Sequence, residues 1–561
     1  MADDPDPDTR HELAALIDSV EVGGPGAEVA WVDLADRFAS HLEFGTAGLR
    51  GALGAGPNRM NLAVVIRTAA GLAAWLFSHD DPTVSRRGVA VGYDARHRSH
   101  AFALATAEVL ASAGIRVHLL PEPLPTPVLA FTALHLNAAA GVMVTASHNP
   151  PGDNGYKVYD GTGRQIVAPV DTEIAAHIAA VGPVHAVPRD GPDDPDIVRL
   201  GSDIIDRYVE QAAAVRVVPD LAAVGELKVA YTAMHGVGAS TVRQVFAAAG
   251  FADLVEVVEQ VEPDPDFPTV PFPNPEEPGA LDLGLKTASA AGADVLLAND
   301  PDADRLGVAL PRGEGWRALT GDEIGAVLAH HLVSNGAVAE GSIMATTIVS
   351  STLLGRLATA AGVEMRETLT GFKWLTRAAD PDGRLAFAYE EALGFAVSGM
   401  VRDKDGITAA VLFAEAVAQQ ASQGRTVFDV LDDLARTHGV HRTGQWSVRA
   451  AGPGGLAELA AAMVRLRTAP PVDVAGRAVT EVVDLVDGDP ARGLAASDVL
   501  VLHLDSGRVV VRPSGTEPKL KCYVEVVEPV DDDLPSAHQR ADTALAEVLA
   551  ALPALVGLPT P

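Results

Sequence analysis

The chain has 561 residues, of which 48% are hydrophobic and 21% are charged, a composition that excludes wholesale disorder and predicts roughly three to five domains. Lysine and arginine number 42 against 74 aspartates and glutamates, so the formal net charge is −32, which argues against general binding to nucleic acid or to anionic membranes. One cysteine, Cys522, excludes an intrachain disulfide and fits a reducing compartment. The acidic amino terminus lacks the apolar core of a secretory signal, and we expect a soluble, cytoplasmic protein.

Apolar strand-like runs alternate with alanine- and leucine-rich helical stretches through most of the chain, which predicts an α/β architecture. Three of these strand-to-helix segments look alike, and each following helix ends near a glycine that could cap it. The three strand segments are RGVAVGYDA (87–95), LKVAYTAMHG (227–236) and SIMATTIVSS (342–351), and the glycines are Gly114, Gly250 and Gly362. This repeat predicts three related α/β domains.

The uncharged stretch from Leu124 to Asn149 is apolar enough to raise the question of a membrane span. His135 and Gly141 interrupt it, and the pattern changes from helical to strand-like near Asn137. We therefore expect a short helix followed by a buried strand.

Each repeated unit runs on to a later buried strand that opens into an unusual polar loop. AAGVMV precedes TASHNP, ADVLLA precedes NDPDADR, and LAFAY precedes EEALGF. Loops at strand ends are where α/β folds usually carry their chemistry. A fourth region, from about 440 to 561, has shorter strands, a terminal helix and the segment RPSGTEPK, whereas the proline- and aspartate-rich stretches near 184–196 and 262–278 are predicted to be surface loops.

The segment NDPDADR places three carboxylates, Asp300, Asp302 and Asp304, at alternate positions just after a predicted strand. Carboxylates brought close together repel one another unless a cation lies among them, and oxygen ligands favour Mg²⁺ or Ca²⁺ over zinc. An EF-hand needs glycine at the sixth position and glutamate at the twelfth. Arg305 and Pro311 occupy those positions here, which excludes an EF-hand and leaves a metal site or a solvated acidic turn.

Ser147 lies in TASHNP among small residues, at the predicted end of a strand. A serine in this position can be a nucleophile or a turn residue that caps the next helix. The adjacent His148 can likewise be a base or a hydrogen-bonded loop residue.

The segment RPSGTEPK (512–519) combines backbone N–H groups left open by small residues with hydroxyls and cations, which suits a phosphate but also suits a tight polar turn. Its candidate ligands are Arg512, Ser514, Gly515, Thr516 and Lys519. It does not match a Walker loop. In a chain this acidic an anionic ligand needs local cations, and those in or near the loops are Arg50, Arg96, Lys157, Arg305, Lys373, Lys404 and Arg512.

Together, these motifs resemble the α-D-phosphohexomutase superfamily of phosphoglucomutases and phosphomannomutases. The matching segments, in family order, are FGTAGLRG (44–51), GYDAR (92–96), TASHNPPGDNGYKVY (145–159), DPDADR (300–305), TGFKW (370–374), EEALGF (390–395), RDKDG (402–406) and RPSGTEPK (512–519). VEPDPDFPTVPFPNPEEP (261–278) is similar to the branch that also includes phosphopentomutases.

The resemblance implies three α/β domains with mixed sheets and a smaller carboxy-terminal α+β domain, like the TATA-binding protein, around a central cleft. We expect a helical extension at 1–40, α/β domains at 41–205, 206–318 and 319–438, and the last domain at 439–561.

The resemblance also implies roles for individual residues. Ser147 would be the phosphoserine and, with Asp300, Asp302 and Asp304, would bind Mg²⁺. Substrate would be bound by Arg305, Lys373, Glu390, Glu391 and the 512–519 segment, including Arg512, Ser514, Gly515, Thr516 and Lys519. The surrounding polar and acid/base groups would be Arg50, His148, Lys157 and Lys404, with Lys404 the preferred general base and His148 and Lys157 the alternatives. Many relatives have serine where this chain has Ala392.

The implied reaction moves a phosphoryl group between C1 and C6 of glucose or mannose phosphate through a sugar bisphosphate, which also serves as activator. A pentose phosphate is the alternative substrate. A sugar-phosphate-binding relative without turnover and a metal-dependent phosphatase with an aspartate nucleophile are further alternatives, although the phosphatase would leave Ser147 and the 512–519 segment without roles. The expected partner is a small sugar phosphate, and the expected state is a monomer or homodimer.

Overall fold

The computed structural model describes residues 3–24, 26–45, 48–379, 384–449, 455–514, 519–531 and 533–558. These fall into two compact units, Met1–Leu319 with Gly394–Ala418, and Thr320–Leu393 with Gln419–Pro561. Among the described residues, no helix combines the length and the apolar character needed to cross a bilayer.

The first unit begins with two helices, α1 (Pro7–Val22) and α2 (Ala27–Ala39). The carboxylate of Asp6 accepts a hydrogen bond from the Asp8 N–H, and proline occupies the first turn of α1. Both features favour helix initiation at this point.

A six-stranded mixed sheet follows, in the order β1-β5-β4-β2-β3-β6. Its strands are β1 (Leu49–Ala52), β2 (Val89–Tyr93), β3 (Val117–Leu119), β4 (Ala140–Val144), β5 (Asp153–Asp160) and β6 (Ile197–Arg199). Its helices are α3 (Leu62–Phe77), α4 (Val84–Arg87), α5 (Ser99–Ser112), α6 (Thr126–His135), α7 (Val170–Ala180) and α8 (Asp203–Ala213). The central strands β2 and β4 are parallel and buried along their whole length, which explains their continuous apolar sequences.

The expected short helix and buried strand within 124–149 are α6 and β4, so this prediction is confirmed. Beyond β4 the chain reverses, and β5 pairs antiparallel with both β4 and β1. This reversal brings the 145–152 loop back beside the sheet and places Lys157 of β5 opposite Met143 of β4.

The second sheet of this unit is also mixed, in the order β11-β10-β9-β7-β8. It contains β7 (Val229–Thr232), β8 (Val255–Glu256), β9 (Val295–Ala298), β10 (Gly307–Arg312) and β11 (Gly315–Ala318), with helices α9 (Gly238–Ala248) and α10 (Asp282–Ala291). β7 is parallel to β8 and β9, and β9 is antiparallel to β10. The loop that carries the three aspartates is the connection from β9 to β10.

The 262–278 segment contains no helix or strand and most of its residues are exposed, so the predicted surface loop is confirmed, although a few of its residues are buried. Phe267, Val270 and Asn274 are buried. Val270 packs into the apolar core beside this second sheet, and the Phe267 ring lies 4.9 Å from the Arg96 guanidinium. The polar composition of the segment conceals these spaced apolar anchors.

The second unit contains the third α/β sheet, in which β12 (Ser342–Thr347) is parallel to both β13 (Glu364–Thr368) and β14 (Arg384–Glu390). The helices of this part of the chain are α11 (Gly321–Ser334), α12 (Leu353–Ala360), α13 (Phe372–Leu375), α14 (Gly406–Ser422) and α15 (Val427–His438). Strand β15 (Gly394–Ala396) and most of α14 belong to the first unit.

The carboxy-terminal sheet is antiparallel, in the order β16-β21-β20-β19-β18-β17. Its strands are β16 (Val440–Arg449), β17 (Asp473–Val474), β18 (Arg477–Asp484), β19 (Leu500–Leu504), β20 (Gly507–Pro513) and β21 (Lys519–Glu528). Helices α16 (Gly455–Thr468) and α17 (Leu534–Val556) share an apolar core with this sheet. The predicted α/β class, with mixed sheets and a last α+β domain, is confirmed.

The helix-ending glycines of the predicted repeat are also confirmed. Gly114, Gly250 and Gly362 each lie one residue beyond the carboxy-terminal cap of their helix. Their φ angles are 81°, 84° and 68°, a left-handed conformation that glycine adopts without a steric penalty.

Candidate active site

Ser147 lies three residues beyond β4 and is almost fully buried. Its φ is 50°, and its N–H donates to the Thr145 Oγ1 at 2.8 Å. A residue other than glycine in this left-handed region costs on the order of 1–3 kcal/mol, so the surroundings must hold the turn in place.

The Arg96 side chain holds this turn in place. Its guanidinium donates to the Ser147 carbonyl oxygen, to the Asn149 carbonyl at 2.6 Å and to the Pro150 carbonyl at 2.9 Å. Phe267 covers the guanidinium at 4.9 Å, and Arg96 is only 4% exposed. The sequence marked Arg96 as a cation near an anionic ligand, whereas the structure shows its donors bound to the backbone of the Ser147 turn.

Asp300, Asp302 and Asp304 follow β9 and are fully buried. One oxygen from each lies within 4.8 Å of the other two. Asp302 Oδ1 and Asp304 Oδ1 accept no hydrogen bond from the residues that the structure describes. Buried carboxylate oxygens without partners are costly, and a hard cation such as Mg²⁺ would satisfy them, so the donor set fits the expected metal.

The Ser147 hydroxyl lies directly against this cluster. Its Oγ donates to Asp300 Oδ2 at 2.9 Å and is 3.1 Å from His148 Nδ1. Burial, followed by the neighbouring Asp302 and Asp304 carboxylates, raises the pKa of Asp300 well above its ordinary value. A cation within the cluster would reverse this effect by stabilising the ionised carboxylate.

Two ammonium groups face the same carboxylates. Lys157 Nζ lies 2.8 Å from Asp302 Oδ2 and 3.0 Å from Asp304 Oδ2, and Lys404 Nζ lies 3.2 Å from Asp304 Oδ2. Burial by itself would lower the pKa of Lys157, but the two adjacent carboxylates raise it above its ordinary value. Three carboxylates and two ammoniums sum to −1, so one divalent cation would make the cluster attractive to a phosphoryl anion.

Aspartates on either side of Lys404 fix its backbone. The Asp403 carboxylate accepts hydrogen bonds from the Tyr159 hydroxyl and from Gln165, both at 2.7 Å. Asp405 accepts the N–H of Ile407 at 3.0 Å at the start of α14. The RDKDG motif therefore positions a lysine between two buried anchors.

His148 and two arginines complete the group in this unit. Burial, followed by Arg305 and Arg50, lowers the pKa of His148 well below its ordinary value, which favours the neutral imidazole. Arg50 Nη1 donates to Asn149 Oδ1 at 3.0 Å, and the Arg305 N–H donates to Asp300 Oδ1 at 3.0 Å. The first unit thus brings together Arg50, Ser147, His148, Lys157, Asp300, Asp302, Asp304, Arg305 and Lys404.

Thr126 was not anticipated from the sequence. Its hydroxyl donates to Asp302 Oδ2 at 2.7 Å, and its N–H donates to the Asp302 carbonyl at 2.9 Å. Thr126 begins α6, and the signal available in the sequence was a threonine between two prolines at a helix start. That signal indicates a helix boundary but not a partner 176 residues away.

The remaining sequence candidates lie in the second unit. Glu390 ends β14 and is partly exposed, whereas Glu391 points into its own domain, where its Oε2 accepts from Ser350 Oγ at 3.0 Å and from Thr347 Oγ1 at 3.3 Å. Burial, followed by Glu390 and Asp322, raises the pKa of Glu391 to about 7. Lys373 lies on the short helix α13, its Nζ 5.8 Å from the Trp374 ring centroid.

Arg512, Ser514 and Lys519 lie where β20 passes into β21. Arg512 and Ser514 are half-buried, and the Ser514 N–H donates to the Lys519 carbonyl at 2.7 Å. This bond joins the two ends of the 515–518 connection. Gly515 and Thr516 lie outside the described residues.

Family models match the chain in four consecutive segments. They are the phosphoglucomutase/phosphomannomutase alpha/beta/alpha domain I at 41–184, domain II at 206–313, domain III at 320–437 and the C-terminal domain at 463–532. A probable phosphomannomutase from Haemophilus influenzae is 41% identical over 484 residues, which cover 84% of this chain and 95% of that protein. The chain belongs to the phosphoglucomutase/phosphomannomutase family. It is therefore an enzyme of the phosphosugar mutase class, an isomerase, as the motifs implied.

Two further comparisons extend this result. A probable phosphoribomutase from Schizosaccharomyces pombe is 35% identical over 549 residues, covering 93% of this mutase and 91% of that protein. The open form of parafusin, a phosphoglucomutase from Paramecium, matches 93% of this chain and 97% of that chain with a TM-score of 0.71 at 19% identity. At that identity the structural likeness supports the fold.

Proposed function

We propose that this mutase moves a phosphoryl group between C1 and C6 of a hexose phosphate, glucose or mannose, through a phosphoserine at Ser147 and a sugar bisphosphate. The observation that carries the proposal is the Ser147 hydroxyl, which lies 2.9 Å from Asp300 in a buried cluster of carboxylates and ammoniums. A serine that served as a turn residue alone would not need this cluster beside its Oγ.

A serine carrier solves a geometric problem. One site cannot pass a phosphoryl group directly between two oxygens at opposite ends of a sugar. A phosphoserine donates its phosphoryl group to one oxygen, and the resulting bisphosphate turns over and returns the other group to the serine. Each transfer is then a displacement in line with the bond that breaks, the geometry that phosphoryl transfer requires.

The residues near Ser147 then have distinct tasks. Arg96 holds the serine turn through its backbone carbonyls, and Lys157 and Lys404 place positive charge beside the phosphoryl oxygens. Asp300, Asp302 and Asp304 would hold Mg²⁺ together with the serine's phosphate. When bound, Mg²⁺ would neutralise charge on the transferring group.

The structure favours a cationic role for Lys404 over the expected role of general base. A carboxylate oxygen 3.2 Å from its Nζ stabilises the ammonium form and opposes loss of the proton. Lys157 has two such partners, at 2.8 and 3.0 Å, and the same reasoning applies to it. Both lysines are therefore proposed to act by charge.

In the second unit, we assign sugar recognition to Glu390, aided by Lys373, and binding of the non-reacting phosphate to Arg512, Ser514 and Lys519. Gly515 and Thr516 belong to the same proposed phosphate segment. Glu391 is proposed to support this loop, because its carboxylate already receives two hydroxyls from its own domain.

Assays of the enzyme on a panel of three sugar 1-phosphates test this proposal directly. Ala392 offers no hydroxyl to a sugar, and a carboxylate such as Glu390 can accept bonds from sugar hydroxyls in several arrangements. We therefore expect kcat/KM for glucose 1-phosphate and mannose 1-phosphate to differ by far less than 10⁴-fold, with ribose 1-phosphate also converted detectably. Assays with a trace of sugar bisphosphate would measure all three. A preference above about 10⁴ for one sugar would contradict this breadth, since a site that reads one hydroxyl tightly reaches that ratio.

Replacement of Arg512 by alanine should mainly raise KM and change kcat little. The non-reacting phosphate is held in both the ground state and the transition state, so losing its ligand weakens uniform binding. Steady-state kinetics on Arg512→Ala would be compared with Arg540→Ala, which removes an arginine from helix α17 in the same unit. A loss confined to kcat would place Arg512 at the reacting phosphate instead.

A further inference from the structure

The second unit contains a cavity of about 1290 Å³ that has no role in the proposed reaction. Among the residues that the structure describes, it is lined by helix α12, strand β13, the end of α15 and the 491–495 segment. Its size exceeds the range of about 300–1,000 Å³ that is usual for small-molecule sites.

The lining of this cavity is strongly cationic although the chain as a whole carries a charge of −32. The arginines that line it are Arg356, Arg366, Arg377, Arg492 and Arg508. The described acidic residues in the lining are Glu364 and Glu367. Five guanidiniums and two carboxylates leave a formal charge of +3. The local charge of the cavity lining is therefore opposite in sign to the net charge of the chain.

Ion pairs within the lining account for part of this charge. Arg366 pairs with Glu364 at 2.7 Å, and Glu367 is shared by Arg492 at 2.5 Å and Arg508 at 2.8 Å. Arg356 is exposed, and its guanidinium makes no hydrogen bond or ion pair with any residue that the structure describes. Arg508 also lies 3.6 Å from Glu525 Oε2, which compensates its charge further. Arg356 and the remaining donors of Arg492 are therefore the groups available to an added anion.

Arg508 is a buried member of the cavity lining. It is 5% exposed, and its Nη2 donates to the Ser350 carbonyl at 2.6 Å. The nearby arginines also affect two histidines in the lining. Burial and then Arg508 lower the pKa of His503, and burial, His441 and Arg356 lower the pKa of His438.

This cavity is separate from the phosphate segment at 512–519. Arg508 and Arg512 lie near opposite ends of β20. Four residues along a strand span about 13 Å, which is too far for one phosphoryl group to contact both backbones. Of that segment, the described residues Pro513, Ser514 and Lys519 do not line the cavity.

Apolar and aromatic groups complete the wall, with Met365, Leu369, Trp374 and Leu494 beside the arginines. Planar guanidinium groups suit phosphoryl oxygens, and the apolar surface suits an organic body. We propose that this cavity is a second anion site of the enzyme, which binds a phosphoryl-bearing organic molecule. Trp374 lies on helix α13, which also carries Lys373, and Arg377 follows that helix, so a bound molecule would contact an element of the proposed sugar site.

Calorimetric titration of the full chain with pyrophosphate in metal-free buffer tests this site. The Arg512→Ala substitution weakens the phosphate segment. In that variant, pyrophosphate should still bind to the cavity. Adding Arg356→Ala and Arg492→Ala should weaken the remaining binding at least about tenfold, the effect of losing charge-assisted bonds to two guanidiniums. Arg243→Ala, which removes a surface arginine that pairs with Glu256 in the first unit, should change nothing.

Two further measurements complete the test. Inorganic phosphate and adenosine monophosphate are titrated in parallel, and tighter binding of the nucleotide would show that the apolar wall contributes. Equal binding of the two would overturn the organic part of the proposal. Absence of pyrophosphate binding in Arg512→Ala, or binding unaffected in the triple variant, would overturn the site itself. Arg356→Glu, at an exposed position, provides a variant whose folding is not at risk and should also abolish the site.

Discussion

Replacement of Ser147 by alanine is expected to lower kcat by at least about 10³-fold while the protein stays folded, because the variant lacks the oxygen that accepts the phosphoryl group. Among the described residues, the Ser147 hydroxyl bonds to Asp300 and His148, which belong to the proposed reaction site. The left-handed turn is held by Arg96 through backbone carbonyls, which alanine retains. The loss should therefore appear in turnover and not in the melting temperature.

Intact-protein mass spectrometry provides an independent measurement. The wild-type enzyme incubated with sugar bisphosphate should gain the mass of one phosphoryl group, and Ser147→Ala should not. Ser240→Ala, at an exposed position on α9, is the matched control and should behave like wild type in both assays. Near-normal turnover by a preparation of Ser147→Ala free of wild-type protein would refute the phosphoserine route.

The second large effect is expected for Asp302→Asn. The substitution keeps an oxygen near the metal position but removes a negative charge and weakens the partner of Lys157. We expect turnover to fall by about 10²-fold or more at a fixed Mg²⁺ concentration and the Mg²⁺ needed for half-maximal rate to rise steeply.

Asp282→Asn, at an exposed position in the first turn of α10, is the control for loss of one carboxylate and should keep the wild-type metal requirement. A direct Mg²⁺ titration by calorimetry should show weaker binding in Asp302→Asn but not in Asp282→Asn. If wild-type activity survived an excess of chelator, the assignment of the three aspartates to a metal would be wrong.

The sequence predicted those parts of the molecule that depend on contiguous residues. The strand-end loops, the three related sheets and the glycine-terminated helices are encoded by local patterns, and the structure has them. The close approach of Asp300, Asp302 and Asp304 follows from their alternate spacing after β9. The family was recognisable because several such motifs occur in one order along the chain.

What could not be predicted depends on partners far apart in the chain. Thr126 contacts Asp302 across 176 residues, and Lys157 contacts Asp304 across 147. Arg96 was predicted from the sequence to be a cation near an anionic ligand. Its donors instead bind backbone carbonyls, whose orientation is defined only in the folded turn. Phe267 was hidden in a polar segment because a single buried ring leaves no periodic pattern.

The buried aspartate cluster also bears on folding thermodynamics. Two of its carboxylate oxygens have no hydrogen-bond partner among the described residues, and the folded chain has already desolvated them. A cation that binds the native cluster but not the unfolded chain adds free energy of folding in proportion to the logarithm of its concentration, about 2.7 kcal/mol at a hundred times its dissociation constant. The proposed magnesium site thus couples the stability of the first unit to free metal. A medium depleted of divalent cations would therefore lower the free energy of unfolding of the enzyme as well as slow its reaction.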